Sequence, residues 1–238
     1  VATSNDGVVS ETMSPDLPPI IATLDGPMAF GSSAVLLRTL LDEYQCELVK
    51  RGVPVDRWLA PGTSPERIRT ALSEVGLAAN DEVVTWFSWH DGVAEDVEFR
   101  VAAHAMPNFV AAPLSYAIQR YRDSVLEFEL PYGTDVPWDY FMFGAGEGWL
   151  RLIDDNRGCA IDCSGTREQG RPPIIRSATE SFGMPGNEKF FQAVSLCTLV
   201  TWWLESLRTG GFHWNSGAQQ WDIDDSALPA LQLLIHFD

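Results

Sequence analysis

The feature that most limits the fold is a change of texture along the chain. Apolar residues recur every three or four positions as far as about Glu127, fall into short isolated runs from Val136 to about Ser177, and return to helical spacing from Lys189. Spacing near 3.6 places apolar side chains on one stripe of a helix, whereas short runs between turns suit strands. Helices, then consecutive strands, then a helix predict an α+β domain with a mostly antiparallel or mixed central sheet covered by N-terminal and C-terminal helices. A doubly wound parallel fold would need strands and helices to alternate.

The punctuation sharpens this. From Ser32 to Lys50 the stripe is Leu37, Leu40, Leu41, Tyr44 and Leu48, with Ser32 or Ser33 as cap and Gly52 as terminator. After Pro61-Gly62, Ser64 caps a helix that has Pro65 in its first turn and Ile68, Leu72 and Val75 inward. Asn80 caps a third helix, with Asp81 and Glu82 at its positive end and Gly92 as its stop. Pro113 starts a fourth. The runs Tyr140 to Phe143, Trp149 to Ile153, Cys159 to Cys163 and Pro173 to Ile175 read as an antiparallel meander. Lys189 to Arg208 reads as a closing helix in which Trp202 and Trp203 cannot both face fully inward, so one is expected partly exposed. The stretch from Phe212 gives no clear pattern. Residues 1–31 are expected to form a flexible or loosely docked arm, and residues 32–238 one domain.

Charge limits the partners. Sixteen Lys and Arg against thirty-three Asp and Glu give a formal net charge of −17, a field that repels nucleic acid and anionic membranes. A basic protein would be steered toward such a chain, although acidity also serves solubility alone. The N-terminus shows no basic region and apolar run of the secretory type, and no stretch is apolar enough to span a bilayer, so a cytoplasmic protein is expected; a monomer is expected as well. Four cysteines are too few for a disulfide framework. Cys46 and Cys197 lie within apolar helical patterns and are expected to be buried thiols.

Three stretches resemble the SUKH superfamily, which joins a yeast regulator of cell-wall assembly to many bacterial immunity proteins. They are Pro61-Gly62-Thr63-Ser64-Pro65-Glu66 through Gly76-Leu77 to Trp89-His90-Asp91-Gly92; Trp138-Asp139-Tyr140-Phe141-Met142-Phe143-Gly144 followed by Gly148-Trp149-Leu150-Arg151-Leu152-Ile153-Asp154; and Ser195 through Leu204 to Gly210-Gly211. The likeness covers about residues 55–214. It departs at Ala78-Ala79-Asn80, where the family usually has a proline, and at Met142-Phe143, which replaces a more usual Pro-Ile pair. The resemblance implies a domain without catalytic machinery or cofactor, whose relatives bind and neutralise toxins, often nucleases or deaminases, or serve as regulatory scaffolds.

Individual residues add little chemistry. His90 and Asp91 invite a general-base reading, but neighbours on a helix point about 100° apart. Asp91 at a helix C-terminus would oppose the macrodipole, which leaves two readings, a partner contact or a hydrogen bond to the following turn. Cys159 and Cys163 lack the further ligands of a zinc site, and Gly144-Ala145-Gly146-Glu147-Gly148 lacks the Lys-Ser/Thr ending of a phosphate loop. Ser195 has no neighbouring His or Asp to activate it. The acidic groups Asp91, Glu95 and Asp96, then Asp139 and Glu147, then Asp154 and Asp155, fall at turns and suit a binding rim. Trp89, Trp138, Trp149 and Trp214 around them are anchors for a protein partner or, alternatively, core residues. An immunity-type protein is thus expected, with a regulatory scaffold and an enzyme of dispersed carboxylates as alternatives.

Overall fold

The computed structural model describes residues 16–23, 26–94, 106, 110–128, 148–153, 159–166, 172, 175–178, 190–193 and 195–228. The α+β class holds. Strands β1 (Ile20–Thr23) and β2 (Gly26–Ala29) form an antiparallel hairpin. They lead into α1 (Ala34–Lys50), α2 (Val55–Trp58), β3 (Leu59–Pro61), α3 (Pro65–Ser73), α4 (Asp81–Trp89), β4 (His90–Val93) and α5 (Leu114–Phe128). Strands β5 (Trp149–Ile153), β6 (Cys159–Asp162), β7 (Ile175–Ala178) and β8 (Phe190–Ala193) make a four-stranded antiparallel sheet in chain order. Helix α6 (Leu196–Thr209) and the hairpin of β9 (Phe212–Asn215) and β10 (Gln220–Ile223) follow.

The expected caps act as caps. Ser33 Oγ accepts from Leu36 N at 3.2 Å, Ser64 Oγ from Arg67 N at 3.4 Å and Asn80 Oδ1 from Val83 N at 2.8 Å, each satisfying a first-turn donor. Asn80 also donates its amide to Asp162 O at 3.0 Å, which fixes the start of α4 to the end of β6. The predicted stripe of α1 is the buried set, Leu37, Leu40, Leu41, Tyr44 and Leu48. Cys46 is exposed instead of buried. It lies two residues from both Tyr44 and Leu48, about 200° around the helix from each, so it faces away from the stripe.

Two further expectations change. The closing helix starts at Leu196 and not at Lys189, because Phe190–Ala193 pairs with β7 and Ser195 caps the helix, accepting from Thr198 N at 3.2 Å. Trp202 and Trp203 are both buried. Helix α6 is buried almost all round and runs through the interior, not over it. Tyr44 and Trp86 meet Trp203 on one side, and Phe212 meets Trp202 edge-on at 5.7 Å on another. Among the described residues the strands form four antiparallel sheets, three of two strands and one of four.

The expected arm also yields structure. Within residues 1–31, β1 and β2 are paired, Ala29 is fully buried, and Ala29 N donates to Thr198 Oγ1 of α6 at 2.8 Å. The fold therefore begins by Ile20. Sequence periodicity passes over so short a hairpin because Gly26 and Pro27 interrupt its apolar run. No helix among the described residues is long and apolar enough to cross a membrane.

Candidate functional site

The motif Trp89-His90-Asp91-Gly92 sits where α4 ends and β4 begins, so its residues take extended spacing after Trp89 and not helical spacing. Trp89 is only 6% exposed. Its indole N–H donates to Gln45 Oε1 of α1 at 3.0 Å, and its ring lies 5.9 Å from that of Trp86. It is a core residue, which removes it as an anchor for a partner. His90 Nδ1 lies 2.8 Å from Ala60 O, and Nε2 lies 3.2 Å from Gln45 Oε1. Burial pushes its pKa below the ordinary value against the opposing pull of the Ala60 carbonyl and Asp56, so the ring is neutral at pH 7.

Asp91 has a different setting from the one its place after a helix predicts. Oδ1 accepts from Leu114 N at 2.7 Å and Oδ2 from Thr63 Oγ1 at 2.6 Å. The carboxylate thus caps the positive end of α5 across the fold, where the helix dipole favours it. Both oxygens are engaged inside the molecule. Asp91→Ala is expected to lower stability by about 1–3 kcal/mol, the cost of two charge-assisted bonds and a lost cap, and Asp91→Asn by less. Equilibrium urea denaturation measures both, and unchanged midpoints would return Asp91 to the surface role.

The other expected rim residues, Glu95, Asp96, Trp138, Asp139, Glu147, Asp154 and Asp155, lie outside the described residues, as does Tyr140 to Phe143. Cys159, Cys163 and Cys197 are buried thiols. Burial pushes Cys163 and Cys197 up to about 12, assisted by Asp162 and Glu82 respectively, so neither is a thiolate at neutral pH. Among the described residues no group of three or more His, Cys, Asp or Glu is placed to hold a metal ion. Ser195 is fully buried, and its hydroxyl is shared among Thr198 N, Thr198 Oγ1 and Ser32 Oγ.

One further surface emerges, of which the sequence reading named only Trp214. In the β9–β10 hairpin Trp214 pairs with Trp221 and His213 with Asp222. Partners directly opposite share a face. The Trp221 ring lies 5.3 Å from Trp214, which meets Trp58 edge-on at 5.7 Å, so one face of the hairpin is fixed to the body of the fold. The other face and the following turn expose Asp222, Asp224 and Asp225, and Ile223 at the rim is 38% exposed. Asp222 Oδ2 accepts from Asn215 Nδ2 at 3.3 Å. Asp224 accepts from Ser226 N at 3.0 Å and Ser226 Oγ at 2.6 Å, which hold its pKa below the usual carboxylate value.

No family model matches the chain, and no curated protein matches it either.

The acidic hairpin was open to detection. Phe212-His-Trp-Asn and Gln-Trp-Asp-Ile both alternate with a period of two on either side of Ser216-Gly217, the pattern of a half-buried hairpin. Glu82 carried no such signal. The sequence puts it on the first turn of α4, where an exposed acid is favoured, but it is 4% exposed and accepts from Leu196 N of α6 at 2.7 Å. The crossing of two helices that are remote in sequence decides that.

Proposed function

We propose that this chain is a SUKH-like, non-catalytic protein-binding domain that acts as an immunity-type protein, sequestering a basic toxin domain of the nuclease or deaminase class. The observation that carries the reading is the acidic side of the C-terminal hairpin, with Asp222, Asp224 and Asp225 exposed on a base fixed by Trp58, Trp214 and Trp221. Carboxylates held on a rigid base lose little freedom on binding, which favours affinity as well as steering. The net charge of −17 adds long-range attraction for a basic surface. Enzymes that process nucleic acid need basic substrate surfaces, and an acidic domain placed on such a surface blocks it.

Affinity capture on the immobilised chain from its native cell lysate, with elution by rising salt, tests the proposal. A basic, nucleic-acid-acting protein released by salt is the expected result. Recovery only of housekeeping proteins without a basic surface would reject the toxin partner and favour a regulatory scaffold.

A further inference from the structure

Helix α6 begins inside the protein, so the backbone donors of its first turn have no access to water and need internal partners. Ser195 Oγ takes Thr198 N at 3.2 Å, and Glu82 Oε2, reaching across from α4, takes Leu196 N at 2.7 Å. Among the described residues, Glu82 Oε1 is buried without a hydrogen-bond partner. Among the described residues no cation compensates the group. On α6 its titratable neighbour is Cys197, whose thiol donates to Ser33 O at 3.4 Å. The loop leading into α1 brings the Ser32 hydroxyl to 3.1 Å from Ser195 Oγ at the start of α6, and Asp81 beside Glu82 on α4 is exposed.

A lone carboxylate in such surroundings carries a large desolvation cost, whereas a carboxylic acid fills the same position, accepts from Leu196 N and carries no charge. We infer that Glu82 is a proton-operated latch: as a neutral acid it closes α4 onto the first turn of α6, and its ionisation loosens that turn and the β1–β2 hairpin tied to it. The connection to the hairpin is direct, since Ala29 N donates to Thr198 Oγ1 and Ser32 Oγ lies 3.1 Å from Ser195 Oγ. Loosening at Leu196 therefore reaches β2 through two hydroxyls.

Burial raises the Glu82 pKa from an ordinary 4.5 to about 8, against the smaller opposing effect of the Leu196 bond. The sign follows from linkage. The folded form holds a proton that the unfolded chain has released, so the stabilisation is complete below about 4.5 and declines as pH rises toward 8, beyond which both forms are ionised and the dependence levels off. Cys197 and Cys163, both pushed to about 12, and Tyr44, raised well above its ordinary value by burial, keep their protons throughout that window.

The test is chemical denaturation of the full chain from pH 4 to 10 alongside Glu82→Gln, which keeps the shape and an acceptor for Leu196 N but cannot ionise. Relative to Glu82→Gln, the folding equilibrium constant of the natural protein is expected to fall by up to about tenfold per pH unit between roughly 5 and 8 and then to level off. Hydrogen exchange at Leu196 and Ala29 should accelerate above pH 8 in the natural protein beyond its intrinsic base dependence, and not in Glu82→Gln. Parallel pH profiles for the two proteins would overturn the latch. Should Glu82→Gln fail to fold, the infrared carbonyl band of a protonated carboxylic acid in the natural chain decides. Its persistence at pH 7 and loss near 8 support the latch, and its absence at pH 7 overturns it.

Discussion

Replacing Trp203 by alanine is expected to remove about 3–5 kcal/mol of stability, a large share of what a typical domain has in total. Trp203 is fully buried on α6, with ring centroids 5.5 Å from Tyr44 of α1 and 6.3 Å from Trp86 of α4. It is where three helices meet. Truncation loses the transfer free energy of the indole and leaves a cavity that rigid neighbouring rings cannot close. Trp214→Ala is the control, because Trp214 is only partly buried on the hairpin and should cost markedly less. Guanidinium denaturation of both variants measures the difference. A Trp203→Ala midpoint close to that of the natural protein would mean the three helices do not share one core.

Gly92→Ala is expected to be comparably severe, for a backbone reason. Gly92 has φ +70°, and a Cβ built there would lie 2.3 Å from Pro113 N and 2.5 Å from Ala112 C. Both are main-chain atoms, and neither can swing aside as a side-chain tip would. Relief requires moving the segment whose Ala112 N donates to Leu152 O at 2.9 Å and whose next residue, Leu114, is capped by Asp91. Gly76→Ala separates the two components of the effect. Gly76 has a similar φ of +74° but nothing within 4 Å of the added Cβ, so it should cost only the left-handed penalty of about 1–2 kcal/mol. The excess of Gly92→Ala over Gly76→Ala, read from thermal or urea unfolding, measures the close approach. Equal losses would show that the β4–α5 crossing is looser than described.

These positions show which parts of the fold a sequence can carry. Ser33, Ser64 and Asn80 were legible because a cap is a local bond, decided by residues three apart. Gly92 was recognisable as special, but its purpose was not. It is needed for the passage of Ala112-Pro113, some twenty residues later, and not as a helix stop. Asp91 was legible as a carboxylate with a task, and the partner that settles the task is the start of α5. The same limit hid Glu82, whose environment is made by α6, and the double burial of Trp202 and Trp203, which depends on α6 being surrounded. Phe190 and Phe191 fit a helical stripe as well as a strand, and pairing with β7 decides for the strand. Of the expected rim and its anchors, Trp89, Asp91, Trp149 and Trp214 fall among the described residues; Trp89 and Asp91 turn inward, and Trp149 and Trp214 are half-buried. The exposed acidic surface that is described lies at Asp222 to Asp225, in a segment whose two-residue alternation was readable.

The binding proposal is tested most directly by the affinity of the chain for its captured basic partner as a function of salt, measured for the natural protein and for Asp222→Asn/Asp224→Asn/Asp225→Asn. Affinity is expected to fall steeply as salt rises. The triple variant is expected to bind at least tenfold more weakly at low salt, with a shallower salt dependence because three attractive charges are gone. Affinity independent of salt, or a triple variant that binds as the natural protein does, would contradict the proposal.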